Sequence, residues 1–210
     1  MTQTRGKFIT LEGIDGAGKS TQLEGVAEFL RSKGLSAMVT REPGGTPLGE
    51  KLRTLLLDKT ITMHAQTEAL LMFASRCEHL DRVIVPALEQ GRWVVSDRFT
   101  DASFAYQGGG RELDMSKLEM LENWTHGNFQ PDLTLYFDVP VELGQQRINQ
   151  LNSIDRFEKE EKDFFHRVRT VYLERAEQFP ERIQYIDATQ PAPAVHEAVE
   201  QILQKLFIDE

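Results

Sequence analysis

The sequence predicts an α/β fold, a five-stranded parallel sheet with helices on both faces. Short apolar or β-branched runs at Phe8–Leu11, Leu35–Thr40, Trp93–Ser96, Leu133–Asp138 and Arg182–Asp187 alternate with stretches of helical period. Strands separated by helices in this way pair in parallel and are covered on both sides. Charged residues follow three of these runs, Glu12 and Asp15, Arg41 and Glu42, Asp97 and Arg98, at the strand ends where such sheets hold ligands. With 210 residues, 40% of them hydrophobic, the chain suits one full core, since single domains reach about 250 residues. No internal repeat, linker or low-complexity segment interrupts it, so residues 1–210 are expected to form a single domain.

The first strand leads into Gly13-Ile14-Asp15-Gly16-Ala17-Gly18-Lys19-Ser20-Thr21, which fits the spacing G-x-x-x-x-G-K-[ST]. A helical pattern with Leu23, Val26, Ala27 and Leu30 on one face follows it. Strand, glycine-rich turn and helix together mark a phosphate-binding loop, the P-loop. Gly13, Gly16 and Gly18 let several backbone N–H groups point at one anion, and the helix starting near Lys19 adds the positive end of its dipole. Lys19 carries a mobile charge for the β- and γ-phosphates of a nucleotide, and the Ser20 hydroxyl is a ligand for Mg²⁺.

That helix is expected to end at Lys33-Gly34. After the second strand comes the loop Arg41-Glu42-Pro43-Gly44-Gly45, then Thr46 as N-cap and Pro47 as first residue of a helix through Leu57. A helical stretch from His64 to Gln90 is expected to kink or restart at Pro86. Beyond the third strand, helix fills Thr100 to Tyr106, a loop is expected at Gly108-Gly109-Gly110, and another helix covers Met115 to Thr125. Helices flank the polar stretch Asn149–Asp155, and the last helix aligns Val195, Val199, Ile202, Leu203 and Leu206.

Asp97 ends an apolar strand, as a Mg²⁺-binding or loop-orienting acid does, and a helix N-cap is the competing role. Arg98, next to it, would turn a planar fork of donors toward a phosphate. Phe73 and Arg76 stand three apart on one helix face, a ring to stack a base beside a guanidinium to bond its edge, and equally the spacing of core plus rim. The net charge of −9 and pI of about 5.2 argue against broad binding of nucleic-acid polymers or anionic membranes. Cys77 is the only cysteine, which excludes an intrachain disulfide, fits a reducing compartment and reads as a small packing residue. No run reaches the roughly 20 apolar residues of a membrane span, and Met1–Lys7 lacks a signal-peptide core, so a cytoplasmic protein is expected.

Asp15 within the P-loop, Arg41-Glu42-Pro43-Gly44-Gly45-Thr46, Phe73-Ala74-Ser75-Arg76, Asp97-Arg98-Phe99 and Ala105-Tyr106-Gln107-Gly108-Gly109-Gly110-Arg111 occur in that order. Together with Pro131–Tyr136 and Asp155–Glu158 they make the chain resemble the bacterial thymidylate kinases, P-loop NTPases of the nucleoside monophosphate kinase type, over nearly its whole length. The resemblance implies Mg²⁺-dependent transfer of the γ-phosphoryl of ATP to dTMP. It implies that Phe73 stacks on thymine, Arg76 bonds a base carbonyl, Ser103 and Gln107 meet the base edge, and Tyr106 packs against the deoxyribose. Arg53 and Arg98 would hold the dTMP phosphate, Asp15 would face the 3′-hydroxyl or the metal, and Glu42 would stand in the metal's outer shell. It also implies a mobile LID around 148–158 and a homodimer packed through helices. Gly16 stands where eukaryotic members carry a P-loop arginine, yet the LID segment Gln150–Asp155 is poor in arginine. Arg147 and Arg156, which flank it, are left as candidates for the transferred phosphoryl or as anchors of the LID.

Two rivals remain: a kinase of another nucleoside monophosphate, which would lack the Phe73/Arg76 and Tyr106-Gln107 set, and a non-catalytic nucleotide-dependent switch, which would need no arginine-lined second pocket.

Overall fold

A computed structural model of the chain describes residues 5–149, 156–157 and 160–207. Five parallel strands, β1 (Phe8–Glu12), β2 (Ala37–Arg41), β3 (Trp93–Asp97), β4 (Leu133–Asp138) and β5 (Ile183–Asp187), form one sheet in the order β2-β3-β1-β4-β5. Strands β3 and β2 build out one side of β1, and β4 and β5 the other. The winding therefore reverses beside β1, where sheets of this kind open a crevice at their carboxyl ends. The register aligns those ends: Leu11 lies opposite Asp97, and Asp97 opposite Arg41. Two backbone bonds continue the alignment beyond the strands, Glu42 N–H to the Asp97 carbonyl (2.9 Å) and Arg98 N–H to the Leu11 carbonyl (3.0 Å). Residues far apart in sequence thus leave the sheet side by side.

Helix α1 (Lys19–Ser32) follows β1 and buries Val26, Ala27 and Leu30 against the sheet. It ends as expected, with Leu35 N–H returning to the Leu30 carbonyl and Gly34 N–H to that of Arg31, which satisfies two orphan carbonyls. In α2 (Pro47–Leu57) the Thr46 side chain accepts from Gly49 N–H at 2.9 Å and Pro47 opens the helix. Helix α3 (Ala65–His79) runs through a π-helical turn, Leu80–Ile84, into α4 (Val85–Glu89), so the break expected near Pro86 is absorbed by a widened turn just before it. Past β3 come α5 (Thr100–Ser103) and α6 (Met115–His126). Helices α7 (Val141–Ile148), α8 (Lys162–Gln178) and α9 (Ala192–Lys205) complete the covering layers. Val195, Val199 and Leu203 of α9 are buried, with Ile202 and Leu206 packed beside them.

Two expectations are corrected. Gly108-Gly109-Gly110 is not a loop: α5 continues as a π-helix over Phe104–Gly110, and all three glycines are buried. Helix α8 lies so close that a Cβ on Gly110 would stand 2.4 Å from the Phe164 ring, and one on Gly109 2.7 Å from Val171 Cγ2. The glycines serve packing rather than a turn. Cys77 is exposed on α3, outside the arc that turns Ser75, Arg76 and His79 inward. The LID segment 150–155 lies outside the described residues.

Candidate active site

The P-loop sits between β1 and α1 with Gly13, Gly16 and Gly18 all at positive φ (139°, 79° and 90°). Gly16 also lets α7 close in, since a Cβ there would meet the Gly144 carbonyl oxygen at 2.2 Å. Lys19 is buried and folds back, donating from Nζ to the carbonyls of Gly13 and Ile14, both at 3.0 Å, with Asp15 at 3.9 Å. Burial, followed by the charge of Arg98, holds its pKa below the ordinary lysine value. A cation hydrogen-bonded to two carbonyls of its own loop, with a carboxylate at the edge of ion-pair range, is readily drawn to an incoming phosphate.

Beside the P-loop lies a cavity whose walls include Arg53, Arg76, Arg98, Tyr106 and Gln107. Asp15, Ser20, Glu42, Asp97 and Ser103 also reach it, while Met72, Phe99 and Phe157 give apolar surface. Its volume is about 240 Å³. Arg98 joins it to the P-loop. The Nη1 group donates to the Gly13 carbonyl (2.9 Å) and the Tyr172 hydroxyl (3.1 Å), and Nη2 to Asp15 Oδ1 (2.6 Å) and the Tyr106 hydroxyl (2.9 Å). Its backbone is left-handed at φ 71°, a conformation a non-glycine residue keeps only when its surroundings impose it. Glu12 helps to impose it, accepting from the next residue's N–H, that of Phe99, at 2.7 Å. For Asp15, burial alone would raise the pKa, but Arg98 and Lys19 outweigh it and keep the carboxyl below its usual range.

At the opposite wall Arg76 is held on three sides. Its Nε donates to Glu42 Oε2 (2.8 Å), and Nη2 donates to the Phe99 carbonyl and Ser103 Oγ (both 3.0 Å). Its guanidinium lies 4.6 Å from the Phe73 ring centroid and 5.0 Å from that of Phe99. Nη1 is buried and has no hydrogen-bond partner. Phe73 is buried beside it, with the Arg76 guanidinium over one face of its ring. Glu42 reaches the cavity with one oxygen bonded to Arg76 and the other to His79 Nδ1 (3.1 Å). Arg53 donates to the Pro43 carbonyl at 2.9 Å.

Asp97 Oδ1 is buried without a partner, and the helix that follows it is capped by Phe99 instead, which removes the N-cap alternative. Of the arginines flanking the LID segment, Arg147 donates to the carbonyls of Gly16 (3.3 Å) and Ala188 (3.0 Å). It lines a second cavity with Ala17, Gly18, Thr21 and Gln190. Arg156 is committed to Glu68 and the Leu56 carbonyl, at the acceptor end, where Glu68 also takes Gln107 Nε2 (2.9 Å). Among the described residues, no three His, Cys, Asp or Glu side chains cluster as a self-sufficient metal site.

Glu12, Glu68 and Tyr172 were not identified from sequence as site residues. Glu12 alone left a trace, an acid closing an otherwise apolar strand.

A phosphate cradle on β1 that shares one arginine with an arginine-lined cavity defines a P-loop kinase acting on a small phosphorylated acceptor. A model of the thymidylate kinase family matches residues 11–199. The thymidylate kinase of Nitrosospira multiformis is 62% identical over 203 residues, covering 97% of this chain and 99% of that one. That of Nitrosomonas europaea is 60% identical, covering 98% and 95%. A crystal structure of thymidylate kinase from Ehrlichia chaffeensis superposes with a TM-score of 0.77 at 34% identity, covering 95% of this chain and 99% of that one. The chain belongs to the thymidylate kinase family.

Proposed function

We propose that the protein transfers the γ-phosphoryl of ATP to the 5′-phosphate of dTMP, giving dTDP and ADP. The observation that carries this reading is the Arg98 guanidinium, which touches the P-loop carbonyl of Gly13 and lines the neighbouring cavity at once. The acceptor atom is already an anionic phosphate oxygen, so no strong general base is needed. What the chain must supply is alignment and positive charge around an in-line transfer. The P-loop amides and Lys19 hold the donor, Arg53 and Arg98 the acceptor phosphate, and Asp15 keeps Arg98 turned toward the junction. Arg76 Nη1, the unpaired donor of the buried guanidinium, meets a base carbonyl. Ser103 and Gln107 stand at the base edge, and Tyr106 at the sugar. Phe73 backs Arg76.

Phosphoryl transfer from ATP generally needs a metal, and we assign Mg²⁺. The orphaned Asp97 Oδ1 and the Ser20 hydroxyl border one cavity, which fits an ion held by one or two protein oxygens, water and nucleotide phosphates. Bound there, Mg²⁺ would neutralise charge on the transferring phosphoryl. We read Arg147 as a brace on the P-loop and Arg156 as the anchor of the LID's far end, within a single domain. We also read the enzyme as a cytoplasmic homodimer. Trp124 and Met120 of α6 are 83% and 72% exposed, and Leu70 of the adjoining α3 is 53% exposed, apolar surface that a helix-packed dimer would cover. No helix among the described residues is long and apolar enough to cross a membrane.

Coupled measurement of ADP release with ATP and Mg²⁺, offering dTMP, dUMP, UMP, CMP and AMP in parallel, tests the reading. Turnover should strongly favour dTMP. Preference for another monophosphate would remove the base assignments, and ADP release indifferent to every acceptor would point to a nucleotide-dependent switch.

A further inference from the structure

The loop Arg41–Thr46 joins β2 to α2 at the edge of the cavity, which Glu42 and Pro43 line. Its residues are fixed to α3 and α2 at every step: Gly44 N–H donates to Ser75 Oγ (3.2 Å), Gly45 N–H to Glu50 Oε1 (3.0 Å), and Arg53 returns a donor to the Pro43 carbonyl. At its centre is a chain of four side chains, three of them buried and Thr40 half-buried. The Thr40 hydroxyl lies 2.7 Å from His79 Nε2, His79 Nδ1 lies 3.1 Å from Glu42 Oε1, and Glu42 Oε2 receives Arg76 Nε at 2.8 Å. His79 is fully buried. Burial would raise the Glu42 pKa, but Arg76 and His79 together hold it below the ordinary value, so the carboxylate is ionised and only accepts. His79 Nδ1 must then carry a proton. Glu42 thus selects the tautomer, and in the neutral ring the Thr40 hydroxyl donates to Nε2 and steadies the ring from behind.

We propose that His79, with Thr40 behind it, is a positioning residue for acceptor recognition, fixing Glu42 and through it the Arg76 guanidinium in the cavity wall. A carboxylate held by Arg76 alone could pivot about that bond, and the guanidinium with it. The second oxygen tied to His79 removes the freedom. Gly45 belongs to the same device, since a Cβ there would stand 2.3 Å from His79 Nε2 and 2.8 Å from Thr40 Oγ1. The ring therefore reaches Glu42 only because that position has no side chain. This inference rests on the reading of Arg76 as a base contact.

The experiment is steady-state kinetics of full-length His79→Leu, His79→Asn, Thr40→Val and Arg76→Ala, with dTMP and ATP varied separately and a thermal melt of each. His79→Leu should raise the KM for dTMP about tenfold while the KM for ATP stays within twofold. Thr40→Val should move it the same way by about threefold, and His79→Asn, which restores an N–H donor to Glu42, should recover most of the loss. If His79→Leu does not fold, Thr40→Val and His79→Asn decide the matter by the same split. Equal rises in both KM values, or a dTMP KM unmoved in folded variants, overturns the proposal. Arg76→Ala separates the two levels: a raised dTMP KM there with silent His79 and Thr40 variants sinks only the positioning role, whereas a silent Arg76→Ala sinks the base assignment itself.

Discussion

Lys19 and Asp97 are the residues we read as serving the donor phosphates and the metal. Lys19 Nζ has carbonyl dipoles and a carboxylate at 3.9 Å, and Asp97 Oδ1 has none. Buried polar groups left this way mark places where another molecule completes the bonding. Replacing Lys19 by Ala removes charge stabilisation that grows as the phosphoryl transfers. We expect kcat to fall by at least about a hundredfold, with the dTMP Kd from calorimetry within twofold of wild type, because the acceptor is held by other residues. Equal loss of dTMP binding would move the donor site elsewhere. Asp97→Asn keeps the shape and removes a charge. The Mg²⁺ concentration for half-maximal rate should rise about tenfold, the size usual for an outer-shell metal group. An unchanged Mg²⁺ dependence would leave Asp97 as a structural acid.

Elements set these residues in place, and the segment from α5 to Gly110 shows how. Ser103, Tyr106 and Gln107, three and four apart, share one face of this segment and reach one cavity, and the segment's second half is a π-helical turn. The turn in turn depends on α8 lying against the glycines. Gly110→Ala adds a Cβ that would stand 2.4 Å from the Phe164 ring. Overpacking of this kind costs about 1–3 kcal/mol, while alanine's helix propensity returns about 1 kcal/mol, so the melting temperature should fall. A rise would mean that Phe164 swings aside freely. The same segment marks the limit of what local pattern reveals. The P-loop, the Thr46-Pro47 helix start and the Lys33-Gly34 stop were legible because each is set by a few neighbouring residues. Three consecutive glycines read as a turn, and only the partner helix, some fifty residues further on, makes them helical. Glu68 left no trace at all, because a helix-interior glutamate looks solvated until Gln107, Arg111 and Arg156 converge on it.

Across the whole molecule, buried carboxylates tie the sheet to its covering helices, and they make stability depend on pH in opposite directions. Asp101 joins α5 to α8 and the start of β5 through Arg175 Nε (2.6 Å) and Arg182 Nη1 (2.6 Å). Burial opposes its ionisation, but Arg182 and Arg175 prevail and bring its pKa down from 3.8 to about 2. The stability it contributes is present above pH 3.8 and is lost as pH falls toward 2. Glu12 joins β1 to α8 through the Tyr172 hydroxyl (2.8 Å). Here burial, then repulsion from Asp101, prevails over Arg98, Tyr172 and the Phe99 N–H, and the pKa rises from 4.5 to about 8. Between those values the folded chain keeps a proton that the unfolded chain releases. Stability therefore falls as pH rises through that window, by up to about 1.4 kcal/mol per pH unit from this group, and levels off above it. From these two groups together, maximum stability lies near pH 4 to 5. Glu12→Gln retains an acceptor for Phe99 N–H and cannot titrate. Urea unfolding at pH 5, 6 and 7 should show wild type losing stability relative to the variant at each step, a comparison in which the histidines common to both chains cancel. Parallel curves would mean that Glu12 is ionised throughout. Arg98, whose next residue Glu12 holds by the backbone and whose side chain Tyr172 supports, would then be steadied by a full negative charge rather than by a neutral acid.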